Sequence, residues 1–275
     1  MWMKNGLKSM PTDEGWQDRW DLHVHSHWSD GSDSPEQLAA WARRQGLEGI
    51  ALTDHDTLAG VPEMERAGRA QGLQVLAGIE ISCQEPESGR QLHLLGYGIP
   101  EKGWEQVEAF CYPTCRGRNE AVRRAALALR QAGYPVDWEQ VQACAGPGGQ
   151  LCKQYILIQL VEQGVCDTMY GPLYKRLFKV GPDGKRGIAY LDFPLADPVE
   201  ALHCILEAGG VPVLAHPGQY GNYDFVPTLV REGLQGIEVR HPKHGPADVE
   251  RCRQLARQYG LLTTGGSDYL GRYGD

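Results

Sequence analysis

Short apolar runs alternate with helical periodicities along most of the chain. "WDLHVH" (20–25) reads as a strand. "SPEQLAAWARRQG" (34–46) reads as a helix, with Ser34 as its N-cap, Pro35 in its first turn and Gly46 as its stop. Strands follow at 47–56, 73–82 and 90–99, the first two separated by a helix at 60–72 that ends on Gly72. Further along, helices at 197–210, 224–233 and 245–260 alternate with strands at 211–218, 234–242 and 261–268. Seven strands, mostly separated by helices, predict parallel pairing in an α/β sheet or barrel. Between strands four and five lies a helical block, roughly 104–190, with no strand pattern before "GIAYLDF". It reads as an inserted helical subdomain. Residues 1–18 read as a loose tail.

The strands share a chemical feature. Six of them end in, or carry near their end, a histidine or a carboxylate: His23 and His25; Asp54, His55 and Asp56; Glu80; His216; Glu238 and His241; Asp268. The fourth carries His93 in mid-strand. In parallel α/β folds, ligands gather at the carboxyl ends of strands, so these groups are expected to converge. His23 and His25, two apart on one strand, leave the same face and form a clamp suited to a divalent cation. The candidate ligands are His23, His25, Asp30, His55, Glu80, His93, His216 and Asp268. Taken alone, each reads as an ordinary core or surface residue. Together, so many buried titratable groups would be prohibitively costly without a cation. Five imidazoles and three carboxylates exceed one tetrahedral site and suit two or three ions with nitrogen and oxygen ligands. Asp54 and Asp56, flanking His55, are expected to orient imidazoles or hold catalytic waters.

Composition narrows the class. The 275 residues are 41% hydrophobic and 23% charged, ordinary for a globular protein, and no apolar run is long enough to span a membrane. The first residues lack the apolar stretch of a secretory signal, so a cytoplasmic location and reduced thiols for the eight cysteines are expected. The net charge of −8 argues against broad adhesion to nucleic acid. The charge is uneven, however: residues 100–190 hold 12 Lys and Arg against 9 Asp and Glu, and the remainder 15 against 26. That basic insert is either a solvated helical face or a lid that attracts an anion.

The motifs "DLHVHSHWSDGSDSP", "ALTDHDTLAG", "GIEIS", "LHLLGYGI", "VLAHPGQY", "GIEVRHPKH" and "GGSDY" resemble, in order and spacing, those of the PHP (polymerase and histidinol phosphatase) family. "CKQYILIQLVEQG" and "LYKRLFKVG" resemble the helical insert of a subgroup of nucleotide phosphatases and 5′–3′ exonucleases. The resemblance implies a distorted (β/α)7 barrel over 19–99 and 190–275, with 100–189 as a helical insert or lid. It also implies a metal-dependent phosphoesterase acting on nucleotides, nucleoside bisphosphates or short oligonucleotides, without a membrane or a stable complex with long nucleic acid. The first ion would take His23, His25, Glu80 and Asp268, and the second the bridging Glu80 with His93 and His216. The third would take Asp30, His55 and a histidine that is replaced here by Leu270. Two ions, manganese ahead of iron or zinc, and a weak third site are therefore expected.

On this reading His241 serves as a catalytic and substrate-binding group, with His244, Lys153 and Arg186 as further contacts for phosphate. Two competing classes are an amidohydrolase cleaving C–N bonds and a non-catalytic metal-binding module of the same family. The first would need a bridging lysine at a middle strand, where Glu80 and His93 stand. The second draws its support from Leu270.

Overall fold

The computed structural model describes residues 19–274, so the expected tail at 1–18 lies outside the described residues. The chain opens with β1 (Trp20–Val24) and α1 (Pro35–Arg44). A full capping box forms at the helix start: Gln37 N–H donates to Ser34 Oγ, and Ser34 N–H donates to Gln37 Oε1. Next come β2 (Gly49–Leu52), α2 (Val61–Gln71), β3 (Gln74–Gln84) and β4 (Gln91–Tyr97). The insert contributes α3 (Trp104–Gln131), α4 (Trp138–Ala143), α5 (Lys153–Glu162) and α6 (Pro172–Phe178). The chain then re-enters the sheet through α7 (Pro198–Glu207), β5 (Val211–Leu214), α8 (Pro217–Tyr220), α9 (Val226–Glu232), β6 (Gly236–Arg240), α10 (Pro246–Tyr259) and β7 (Leu262–Gly265).

All seven strands form one sheet in sequence order. It is nearly closed: Val24 pairs with Tyr269, and His25 N–H donates to Tyr269 O at 2.9 Å across the seam. Closure needs Gly266, because a Cβ there would lie 2.3 Å from His23 Cβ. The fold is thus the expected distorted seven-stranded α/β barrel.

The expectation of parallel pairing fails at one strand. β4 is antiparallel to both β3 and β5, because only a short hairpin, not a helix, separates it from β3. This explains the odd position of His93. A strand running the other way brings its first half, not its end, to the ligand face, and His93 pairs in register with Ser82. "GIAYLDF" forms no strand; an isolated bridge between Val180 and Arg186 precedes it.

The main core packs the helices on the sheet, through Leu38, Ile50, Met64, Ile79, Leu94, Ile205, Ile237 and others. The first half of α3 packs on the same core through Val107 and Cys111, whereas Val122, Leu129, Tyr155, Leu160 and Phe178 form a second cluster that the residues after β7 join through Leu270 and Tyr273. Among the described residues no helix is long and apolar enough to cross a membrane.

Candidate metal centre

Glu80, buried on β3, stands at the middle of a ring of imidazoles. Its Oε2 lies 3.2 Å from His23 Nε2, 3.3 Å from His25 Nε2 and 3.3 Å from His55 Nδ1. Its Oε1 lies 2.8 Å from both His93 Nδ1 and His216 Nε2. One carboxylate therefore presents each oxygen to a separate group of histidines. Asp268 faces the same space, with Oδ1 3.2 Å from His25 Nε2 and Oδ2 3.2 Å from His241 Nε2.

Strand ends and strained turns deliver these groups. The non-glycine residues with positive φ among those described are Asp56 (57°), His216 (24°) and Asp268 (51°), all at or beside the cluster. Such backbone persists only where its surroundings enforce it, and it concentrates at functional sites. Trp41 stacks on Tyr269 with ring centroids 4.0 Å apart, which pins the residue next to Asp268.

The cluster fits a cation. His23 Nε2, both nitrogens of His25, His55 Nδ1 and His241 Nε2 are buried without a hydrogen-bond partner, although carboxylate oxygens lie near them. Imidazole nitrogens left unpartnered around buried carboxylates fit a site that a cation would complete. Sets able to hold an ion include His23, His25 and Asp268; His23, Glu80 and His216; His23, Glu238 and His241; and His25, His55 and Glu80. Burial alone would raise the pKa of Glu80. The imidazoles of His55, His23 and His93 outweigh it and hold the carboxyl well below its usual range. Burial also disfavours a charged His25, but the charge of Asp30 and the nearby carboxylates of Asp268 and Glu80 prevail and raise it to about 10. For His55 burial wins, and its pKa falls to about 4.

The structure sorts the remaining expected residues. Asp30 Oδ1 lies 3.4 Å from His25 Nδ1 and Oδ2 lies 3.7 Å from His55 Nε2. Gln154 of the insert donates to Oδ2 at 2.8 Å. Among the described residues Asp30 enters none of the ligand sets. Leu270 turns into the apolar cluster of the insert.

Asp54 does not orient an imidazole. Its oxygens are taken by Ser26 N–H, Ser26 Oγ and Ser29 Oγ at 2.6–2.8 Å, so it ties down the loop after β1. Asp56 likewise accepts from Ser82 N–H and from Arg118 rather than facing the ring. His244 has no free nitrogen for phosphate: Nδ1 donates to Val239 O at 2.9 Å and Nε2 accepts from Gly218 N–H at 3.0 Å. Arg186 is exposed, pairs with Asp192 and lies over the Tyr190 ring. For Lys153 only a longer-range effect is seen: its charge lowers the pKa of Asp30 and acts on Tyr220, whose ring meets those of His93 and His216. His241 Nδ1 accepts from Lys243 N–H at 3.1 Å, so in the neutral ring the proton resides on Nε2, aimed into the cluster.

Three participants were absent from the candidate set. Glu238, fully buried, lies 3.0 Å from His23 Nδ1 and accepts from His216 N–H at 2.8 Å. A signal for it existed, because "GIEVR" on β6 repeats the "GIE" of Glu80's strand. Arg118 and Gln154, in contrast, come from helical stretches whose pattern carries no such mark.

The PHP domain family matches residues 21–136, a span that includes all of α3. The chain is 42% identical over 254 residues to a protein of Eggerthella lenta named phosphoribosyl 1,2-cyclic phosphate 1,2-diphosphodiesterase, covering 92% of this chain and 95% of that one. It is 30% identical to a 3′,5′-nucleoside bisphosphate phosphatase of Chromobacterium violaceum, covering 90% and 86%. A solved structure from Bifidobacterium adolescentis, assigned as a metal-dependent phosphoesterase, superposes with a TM-score of 0.83 at 30% identity, covering 94% and 90%.

Proposed function

The chain belongs to the PHP family of metal-dependent phosphoesterases, and we propose that it hydrolyses the phosphodiester bonds of a phosphoribosyl 1,2-cyclic phosphate. It is a hydrolase of phosphoester bonds. The observation that carries the proposal is Glu80, with His23, His25 and His55 around one oxygen and His93 and His216 at the other. A carboxylate so divided suits two neighbouring cations. A lysine, which an amidohydrolase reading needs there, is replaced by this group. The choice of substrate rests on the Eggerthella lenta relative, which is 42% identical over nearly the full length of both chains.

His23, His25, Glu80 and Asp268 would hold one ion, and Glu80, His93 and His216 a second, with manganese as the proposed metal. Such ions, when bound, act as Lewis acids on the phosphoryl oxygens and lower the pKa of a water. The chain's own groups supply the rest. Glu238 would accept a hydrogen bond from His23 Nδ1–H and leave Nε2 free to ligate. His241 aims Nε2 into the cluster beside Asp268, and in its imidazolium form it would donate its Nε2 proton to the departing sugar oxygen and return to the neutral ring. Lys153, at the first turn of α5, supplies fixed positive charge acting on Asp30, suited to the second phosphate of a phosphoribosyl substrate. Residues 100–189 would then act as a cap over the barrel of 19–99 and 190–275, closing the site from one side.

The test compares kcat/KM for phosphoribosyl 1,2-cyclic phosphate, a nucleoside 3′,5′-bisphosphate and p-nitrophenyl phosphate, with manganese added. The cyclic diester should lead by at least about tenfold, about 1.4 kcal/mol of barrier. A lead for the bisphosphate would favour the second reading, which the Chromobacterium violaceum relative supports.

A further inference from the structure

We propose that Arg118, on α3 of the insert, is a positioning residue for the metal centre: it reaches into the barrel and locks the His55–Asp56 turn, making the insert a structural part of the site. The side chain is 8% exposed although it carries a full charge. Its guanidinium pairs with the Asp56 carboxylate and donates to Ser82 Oγ at 2.9 Å and Gln150 Oε1 at 3.3 Å, and it lies 5.3 Å from the Phe193 ring.

The partner explains what such a bond holds. Asp56 is fully buried and sits at φ 57°, a conformation a non-glycine residue adopts only under constraint. Its other oxygen accepts from Ser82 N–H on β3 at 2.8 Å, and its own N–H donates to Glu80 O at 2.9 Å. The turn is thus pinned to the strand that bears Glu80, and His55 pairs with Glu80 in a parallel bridge. Two further insert side chains grip the same turn. Gln150 Nε2 donates to His55 O at 2.9 Å, and Cys115 Sγ contacts Asp56 O at 3.4 Å. Arg118, Cys115 and Gln150 therefore bear on two consecutive residues, one of which turns its ring to Glu80 Oε2 at 3.3 Å.

A buried carboxylate in a strained turn needs its cation, because removing one member of a buried pair leaves the other charge without compensation. Without Arg118 the turn has reason to relax, and the His55 ring moves with it. Groups that orient metal ligands are worth about 10–100-fold in metal affinity. A merely structural anchor would change stability and leave metal affinity alone.

This inference rests on the reading of the cluster as a metal centre, and the experiment separates the two. Manganese affinity of the wild-type protein is measured first by chelator competition. A wild type that binds no metal would defeat the metal reading itself. The variant Arg118→Met with Asp56→Asn then removes both charges, so no lone buried ion remains to block folding. We expect a folded protein whose manganese affinity falls about 10–100-fold, with a fall in kcat of similar size and KM within about threefold. Wild-type affinity and kcat in that variant would overturn the assignment. Should it fail to fold, Arg118→Lys decides. That change keeps the charge and loses the fork to Ser82 and Gln150. A loss in affinity of about threefold or more supports the role, and unchanged affinity overturns it.

Discussion

His23 Nδ1 lies 3.0 Å from Glu238 Oε1, both groups buried, with the other Glu238 oxygen accepting from His216 N–H at 2.8 Å. One carboxylate thus fixes the ring of one candidate ligand and the backbone of another. The bond favours a proton on Nδ1 of His23, which makes Nε2, turned to Glu80, the nitrogen available to a cation.

Glu238→Gln is therefore expected to lower manganese affinity about 10–100-fold, since the amide can present its NH2 to Nδ1 and reverse the tautomer. Chelator competition measures it. Unaltered affinity would show that the orientation of His23 is set elsewhere.

Glu80→Gln should reduce activity by at least about a hundredfold and lower the metal content. The amide keeps the shape but loses the anionic oxygen that two groups of histidines share. Elemental analysis and initial rates check it. Activity within about tenfold of wild type, about 1.4 kcal/mol of barrier, would contradict a bridging role.

Metal binding should release protons. With no ion bound, His25 has its pKa raised to about 10 and is charged at pH 7, whereas His55, lowered to about 4, is already neutral. A ligating His25 must lose its proton, so manganese affinity should rise with pH from neutrality toward about 10, with His55 adding no dependence there. Calorimetry in buffers of different ionisation enthalpy measures the protons. Release of none at pH 7 would remove His25 from the ligand set.

Leu270→His tests the third site. The family resemblance places an imidazole at this position, but here the side chain packs with the insert cluster and Gln154 bonds Asp30. The substitution should leave the tightly held metal at two per chain and destabilise the fold by about 1–2 kcal/mol, because a polar ring enters an apolar contact. Three tightly held ions in the unsubstituted protein would refute the two-ion reading.

Neutralising Arg123 and Arg124 together should change kcat/KM by less than about twofold, whatever the substrate. Both side chains are more than half exposed and pair with Glu120 on their own helix, and such surface charges contribute little. A selective rise in KM for a more highly charged substrate would restore the basic insert as an anion-gathering surface.

The alternation of apolar runs with helical periods, the caps at Ser34 and Gly72, and the histidines and acids at the strand ends were written locally. Each depends on neighbours a few residues away, so the barrel and most of the residues around Glu80 could be read from the chain alone. What the sequence left open depends on contacts between distant segments. β4 runs backwards because its link to β3 is too short for a crossover, and only the sheet shows His93 arriving from that side. Asp54 and Asp56 sit beside His55 in sequence, yet the φ of 57° at Asp56 and the hydroxyls of Ser26 and Ser29 turn both away from the ring. Arg118 and Gln154 lie on helices whose periodicity marks a buried face without saying what that face meets. Only the tertiary structure brings them to Asp56 and Asp30, because the desolvated carboxylates that require them are 62 and 124 residues away along the chain.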